Sequence, residues 1–378
     1  MKKISILGST GSVGIQSLSV ISQNKSKFQV DCLSCNSNAD LLLEQTKEFM
    51  PKKVAINHLA SLHPINDFCS NNNIELIVGK NSSDILSQFT EIDLAINSIV
   101  GSSGLIPTLN IVNNNIDLAL SNKESLVLGG HLIMPKVKKN TANLIPVDSE
   151  HSAIFQCLYG EKTNTLKKII LTGSGGPFLK RPLNTFSSIQ AKEALKHPNW
   201  EMGRKISIDS STMMNKSLEF IEAMWLFNVE ADDIDIVIHP ESIIHSMVQF
   251  IDDSYKAHLG VPDMKIPIQY ALSHPGRIRN SFGSLDFSEI GSFTFLKPDY
   301  QRYPALELLE RLLNEKGNRI PVMSIANDYV VEKFLSKKIS FTDIVKLIDE
   351  TVEKFGDNST PSAEDLIILN EKIKLYLH

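Results

Sequence analysis

The first twenty or so residues constrain the fold more than any other stretch. Residues 4 to 7 predict a short strand, and Gly8, Gly11 and Gly14 then lead into a periodic segment carrying Ile15, Leu18 and Ile21. A strand, a tight glycine turn and a helix in that order let the backbone approach a pyrophosphate. Free amide hydrogens and the helix N-terminus favour its charge. Glycine spacing alone also fits an ordinary turn, but this turn stands at the head of a repeating strand and helix pattern, which points to a dinucleotide site.

Further apolar stretches follow near 28–34, 54–56, 74–78, 92–99 and 116–120, with helical or irregular segments between several of them. This alternation predicts an α/β fold with a mostly parallel sheet covered by helices, a Rossmann-like N-terminal domain. The chain then reads IPVDSE at 145–150 before a periodic segment at 151–159, and a domain boundary is expected there. Strands expected at 168–172, 206–209, 234–238 and 247–251 suggest a second α/β unit. Residues 275–299, rich in Gly, Ser, Pro and Phe, read as a wrapping connection with docked phenylalanines. Periodic segments at 303–315, 322–336, 341–353 and 362–376 predict a small C-terminal helical domain. The expected division is 1–148 for the dinucleotide, 149–274 for catalysis, metal and substrate, 275–299 as connector and 300–378 as helical domain.

Composition limits the partners. With 38 basic and 43 acidic side chains among 378 residues, the net charge of −5 gives no electrostatic reason to expect nucleic acid or an anionic membrane. MKKISILGSTG is a poor secretion signal, and no run of about 18 apolar residues occurs, so a soluble cytoplasmic protein is expected. Cys32, Cys35, Cys69 and Cys157 are too few to staple the chain, and the lone CxxC lacks a second pair for a tetrahedral metal. Buried free thiols are the expectation.

NAD sites commonly hold the ribose hydroxyls with an acid near the end of the second strand. Here that region is LSCNSN, with Asp31 lying earlier. Ser34, Asn36, Ser37 and Asn38 could instead donate to an extra phosphate, which favours NADP.

Several constellations can carry chemistry. Lys123 follows DLALSN just beyond a strand, at the edge where α/β sheets bind ligands; a surface ion pair is the plain alternative. Asp148 and Glu150 are two apart and share a face if VDSE is extended. With Glu219 they suggest hard oxygen ligation of a divalent cation, against solvated acids or a helix cap. LTGSGGPF places three glycines and Ser174 where they can bend around an oxyanion. Ser210 and Ser211 follow an expected strand, and Asn215 and Glu219 share a helical face beside Lys216. His197 opens HPNWEMG, a candidate lid in which Trp200 or Met202 would cover a ligand; a static loop is the alternative. His239 and His245 read as structural, as does Cys157, and neither GxSxG nor HExxH occurs.

GSTGSVG, SNKESLV, PVDSEHSAIFQ, TGSGGPF, HPNWEMGRKISIDSSTMMNKSLE and HPESIIHSMV, in this order, resemble the 1-deoxy-D-xylulose 5-phosphate reductoisomerase family across essentially the whole chain. The resemblance implies NADPH held by the turn around Thr10, Gly11, Ser12 and Val13, with Asn36, Ser37, Asn38, Asn122, Glu124 and Gly203 also in the cofactor site. It implies one divalent cation, Mg2+ or Mn2+ with Co2+ as a further candidate, on Asp148, Glu150 and Glu219. Substrate contacts would be Lys123, Ser149, Glu150, Ser174, His197, Ser210, Asn215, Lys216 and Glu219, and the catalytic set Lys123, Asp148, Glu150 and Glu219. The implied reaction is NADPH-dependent rearrangement and reduction of 1-deoxy-D-xylulose 5-phosphate to 2-C-methyl-D-erythritol 4-phosphate, by a homodimer. Asn36-Ser37-Asn38 stands where many relatives carry Gly-Lys-Asn, and Ser211 and Ser217 where they often have alanine and glycine. A simple NADP-dependent dehydrogenase of a phosphorylated aldehyde, or a nucleotide-binding regulatory protein, are the competing readings.

Overall fold

The computed structural model describes residues 1–61 and 63–378. It comprises two compact units, one formed by Met1–Ser125, His131–Asp148 and Met264–Asn280, the other by Leu126–Gly130, Ser149–Asp263 and Ser281–His378.

The first unit is built on a seven-stranded sheet: β1 (Lys2–Leu7), β2 (Phe28–Cys35), β3 (Lys53–Ile56), β4 (Glu75–Val78), β5 (Leu94–Asn97), β6 (Asp117–Leu120) and β7 (Leu144–Pro146). Their order is β4-β3-β2-β1-β5-β6-β7, and every neighbouring pair is parallel. Helices cover such a sheet, so its central strands are nearly continuous apolar runs; Ile4, Ile6, Leu33, Leu94, Ile96 and Leu120 are all buried. The order reverses between β1 and β5, the crevice where doubly wound sheets bind ligands. β7 is too short to stand out in sequence. Although the sequence division keeps residues up to 274 with the second domain, the helix Lys265–Ser273 buries Ile268, Ala271 and Leu272 and packs on the helix Ser12–Ser22 and on β6 and β7. Met264–Asn280 therefore belongs to the first unit.

The second unit carries a four-stranded sheet ordered β11-β10-β8-β9, from β8 (Leu166–Gly173), β9 (Ile234–Ile238), β10 (Ile244–Phe250) and β11 (Tyr255–Leu259). β8 and β9 are parallel and the other pairs antiparallel. The strand expected at 206–209 is instead part of a helix, Arg204–Thr212. Ile206 and Ile208 alternate with polar residues as in a strand. The Ser207 and Thr212 hydroxyls, however, bond back to the carbonyls of Gly203 and Ile208, so these polar residues are buried in a helix. Met213, at φ +60°, ends this helix and turns the chain into the next, Met214–Phe227. The connector contributes a bridge between Leu296 and Ile238, and Phe293 and Phe295 pack their rings on His239. Four helices follow, Pro304–Leu313, Arg319–Leu335, Asp343–Phe355 and Ala363–Leu377, close to the expected segments.

All four cysteines are free and buried. Burial pushes the Cys32 thiol up to about 12 and those of Cys35, Cys69 and Cys157 to about 11, which removes the reactive thiolate near neutral pH.

Candidate active site

In the first unit, the turn after β1 is set by steric necessity. Gly8 has φ +83°, and a Cβ there would lie 2.8 Å from the Ser98 carbonyl oxygen at the end of β5. A Cβ on Gly14 would sit 2.3 Å from the Gly8 oxygen, so the first helical turn approaches the loop as only glycine allows. Gly11 occupies the N-cap of the helix Ser12–Ser22, and no side chain caps it. Thr10, Gly11, Ser12 and Val13 thus form the loop and first turn of a helix whose N-terminus suits an anion.

At the end of β2, Asn38 caps the helix Ala39–Phe49 by accepting from the Leu41 amide, and Asn36 accepts from Asn57. Ser37 between them is exposed. Asp31 is buried within β2 and paired with Lys52 at 3.1 Å, well short of the strand end. The polar, uncharged character read from LSCNSN therefore holds in the fold.

Lys123 and Asp148 come together for a topological reason. Each lies shortly beyond the C-terminal end of its strand, β6 and β7, and these strands are parallel neighbours. The Lys123 ammonium, only 5% exposed, pairs with Asp148 at 2.5 Å. A solvated surface lysine is thereby ruled out. Asn122 Oδ1 accepts from the Ser125 amide at 2.9 Å, and its Nδ2 donates to the carbonyls of Ile99 and Gly101 and to Glu124. Its side chain ties the loop after β5 to the helix Lys123–Val137.

In the second unit, Glu150 opens the helix Ser149–Leu158, and Glu219 lies on Met214–Phe227. Their carboxylate oxygens are within 4.8 Å of each other. Two anions so close need a cation. Lys216 supplies one: its ammonium lies 2.7 Å from Glu150 Oε1 and also contacts Glu219, while Asn215 donates to the other Glu219 oxygen. Burial alone would lower the Lys216 pKa; Glu150 and Glu219 outweigh it and hold the ammonium above its usual value. Ser149 donates to Glu150 at 2.5 Å. Asp148 precedes Ser149 directly, so the extended pairing of Asp148 with Glu150 gives way to a helix start between them.

The glycine loop read from LTGSGGPF follows β8. Gly175 and Gly176, at φ +79° and +66°, curl it beside Ser210, whose backbone carbonyl oxygen would lie 2.8 Å from a Cβ on Gly176. A Cβ on Gly173 would touch the Lys216 side chain at 3.0 Å. Ser174, Ser210 and Lys216 thus border one small region. His197 Nδ1 accepts from the amides of Asn199 and Trp200, so Nε2 carries the proton and donates to Ser174 Oγ at 2.9 Å. Ser174 Oγ also accepts from the Gly176 amide at 3.0 Å, which leaves its own hydrogen to donate elsewhere. Asn199 bonds to Pro240 and Ser242, and Trp200 packs against His245, anchoring the segment proposed as a lid. Gly203 is exposed at the N-cap of Arg204–Thr212.

Burial pulls the His197 imidazole down to about 4. The unfolded chain, near the ordinary value of about 6.5, takes up the proton first. The His197 contribution to stability is therefore full above about pH 6.5 and is lost as pH falls toward 4. His245 is lowered similarly, mainly by burial. We expect His197→Gln to flatten only its own share of the decline in melting temperature across this window; parallel curves for variant and wild type would contradict the assignment.

Sequence reasoning missed two supporting residues. His151, fully buried, donates Nε2–H to the Glu219 carbonyl at 2.9 Å, and its Nδ1 lies 3.5 Å from buried Glu222. The spacing of three between Glu219 and Glu222 was the available signal. This pair joins the two helices that carry Glu150 and Glu219.

A glycine turn at the reversal of a parallel sheet, and a second α/β unit in which a partly buried and a buried carboxylate meet beside a glycine-rich loop, define a dinucleotide-using enzyme of oxidoreductase type. Residues 4–130 match the family model for 1-deoxy-D-xylulose 5-phosphate reductoisomerase, 144–227 match its C-terminal domain, and 259–376 match the DXP reductoisomerase C-terminal domain. The chain is 45% identical to the 1-deoxy-D-xylulose 5-phosphate reductoisomerase of Chloroherpeton thalassium, covering 100% of this chain and 98% of that one. It is also 45% identical to the Clostridium perfringens enzyme, covering 100% and 99%. Among solved structures, a DOX-P reductoisomerase in complex with NADPH, fosmidomycin and magnesium superposes with a TM-score of 0.93 at 34% identity, covering 100% of this chain and 97% of that one. The Zymomonas mobilis enzyme in complex with NADPH gives 0.91 at 36% identity, covering 100% and 98%. The chain belongs to the 1-deoxy-D-xylulose 5-phosphate reductoisomerase family. Among the described residues no helix is long and apolar enough to cross a membrane.

Proposed function

We propose that the protein converts 1-deoxy-D-xylulose 5-phosphate to 2-C-methyl-D-erythritol 4-phosphate with NADPH and one divalent cation. The observation that carries this reading is the convergence of Glu150 and Glu219 from two helices beside a serine and glycine loop suited to phosphate. The first unit, with Thr10 to Val13, Asn36 to Asn38, Asn122 and Glu124, takes the dinucleotide, and the family resemblance adds Gly203 to the cofactor residues. Asp148, Glu150 and Glu219 would hold the cation. Their donors are all hard carboxylate oxygens, which fit Mg2+ or Mn2+, with Co2+ as a further candidate, and offer no soft ligand.

When bound, the cation supplies Lewis-acid stabilisation of negative charge on substrate oxygens, and NADPH supplies hydride. The protein's own side chains do the remainder. Ser174, with its hydrogen turned outward by His197 and Gly176, donates to the distal phosphate with Ser210, Asn215 and Lys216. Lys123, buried and paired with Asp148, orients the neighbouring substrate hydroxyl and stabilises an oxyanion developing there. Phosphate held at one end lets binding energy order the segment from His197 to Met202 over the other. Ser149 lies beside the sugar hydroxyls. The same reading keeps the protein a cytoplasmic homodimer.

The test is incubation of the purified chain with deoxyxylulose phosphate, NADPH and Mg2+ or Mn2+, with product identification. A branched methylerythritol skeleton, absent without metal, is expected. A reduced but unrearranged sugar would sink the proposal and favour a simple dehydrogenase.

A further inference from the structure

Residues 302–305, at the start of the helix Pro304–Leu313, make hydrogen bonds to two separate parts of the phosphate region. Tyr303 is 1% exposed and donates its hydroxyl to the Gly175 carbonyl at 2.8 Å. Its ring packs with Met213, Ile238 and Leu306. Two residues on, the Ala305 carbonyl accepts from the buried Ser217 hydroxyl at 3.0 Å, next in sequence to Lys216. On the far side of the loop, Arg302 Nη1 donates to the carbonyls of Phe178 and Arg181 at 2.8 and 2.6 Å.

The Gly175 bond matters because of what shares its peptide plane. The carbonyl of Gly175 and the amide N–H of Gly176 belong to one rigid unit. Holding the first therefore aims the second. That N–H donates to Ser174 Oγ, which also accepts from His197. With both acceptances satisfied, the Ser174 hydrogen points outward to a ligand oxygen. The two glycines sit at positive φ and have no side chain to resist rotation of this peptide, so an external anchor is needed. Burial also raises the Tyr303 phenol to about 12.

We propose that Tyr303 is a positioning residue for phosphate recognition, acting through the Gly175–Gly176 peptide to set the Ser174 hydroxyl, with Ser217 as a second anchor on the Lys216 helix. This rests on the reading of the Ser174 loop as the seat of the substrate phosphate.

Tyr303→Phe keeps the ring and removes the donor. With full-length protein, NADPH and Mg2+, the KM for deoxyxylulose phosphate should rise about tenfold while kcat stays within about threefold. Inorganic phosphate, used as a competitive probe, should lose affinity by a similar factor. NADPH affinity and Mn2+ binding should not change. Combined with Ser174→Ala, the Tyr303→Phe effect should largely vanish, since both act through one hydroxyl. Ser217→Gly should raise KM by about two- to threefold.

If wild type shows phosphate competition and Tyr303→Phe leaves it unaltered, the positioning role fails and the phosphate reading survives. Absence of phosphate competition in wild type would instead remove that reading and, with it, this inference. Full additivity with Ser174→Ala, or parallel loss of folding, Mn2+ binding and kcat, would reduce Tyr303 to a core residue and overturn the proposal.

Discussion

Glu219→Gln should lower turnover by roughly 10^2- to 10^3-fold at saturating substrate, NADPH and Mg2+, the size seen when one group stabilising developing charge is removed. The fold should survive. Glutamine is the same shape and the helix Met214–Phe227 is held by buried Leu218, Phe220 and Ile221, so the melting temperature should fall, because Lys216 loses one of its two carboxylate partners, without loss of the folded state. Steady-state kinetics beside a thermal melt separate the two. Turnover within a few-fold of wild type would remove Glu219 from the proposed ligand set.

Lys216→Met should act chiefly on stability before metal is added. The ammonium is 3% exposed and is the cation between Glu150 and Glu219. Removing one partner of a buried ionic cluster costs about 3–5 kcal/mol, because the charges left behind stay desolvated. Urea unfolding of metal-free protein should show this loss, and Mg2+ should restore part of it by taking over the neutralisation. Substrate KM should also rise, since Lys216 borders the serine loop. An unchanged midpoint would mean that the two carboxylates are neutralised by other means.

Different parts of this arrangement were legible in the sequence for different physical reasons. Gly8, Gly11 and Gly14 announce their turn because steric exclusion acts over a few residues and leaves only glycine. Glu219 and Asn215 share a face through helical periodicity alone, and the contact between them follows. Lys123 and Asp148 are another matter. Their pairing depends on β6 lying beside β7, which is fixed by sheet order and not by any local pattern. The helix Arg204–Thr212 was misread because alternating Ile206 and Ile208 mimic a strand, while the contacts that favour a helix come from elsewhere, including Asn327 on Asp209. Tyr303 gave no signal, since its role exists only once Gly175 is folded against it.

The cation is the centre of the account, and Mn2+ binding followed by electron paramagnetic resonance tests it most directly. Wild type should bind one Mn2+ per chain, with affinity reduced by Asp148→Asn and abolished by Glu150→Gln combined with Glu219→Gln, while all variants remain folded. Undiminished one-to-one binding by the folded double variant would contradict it.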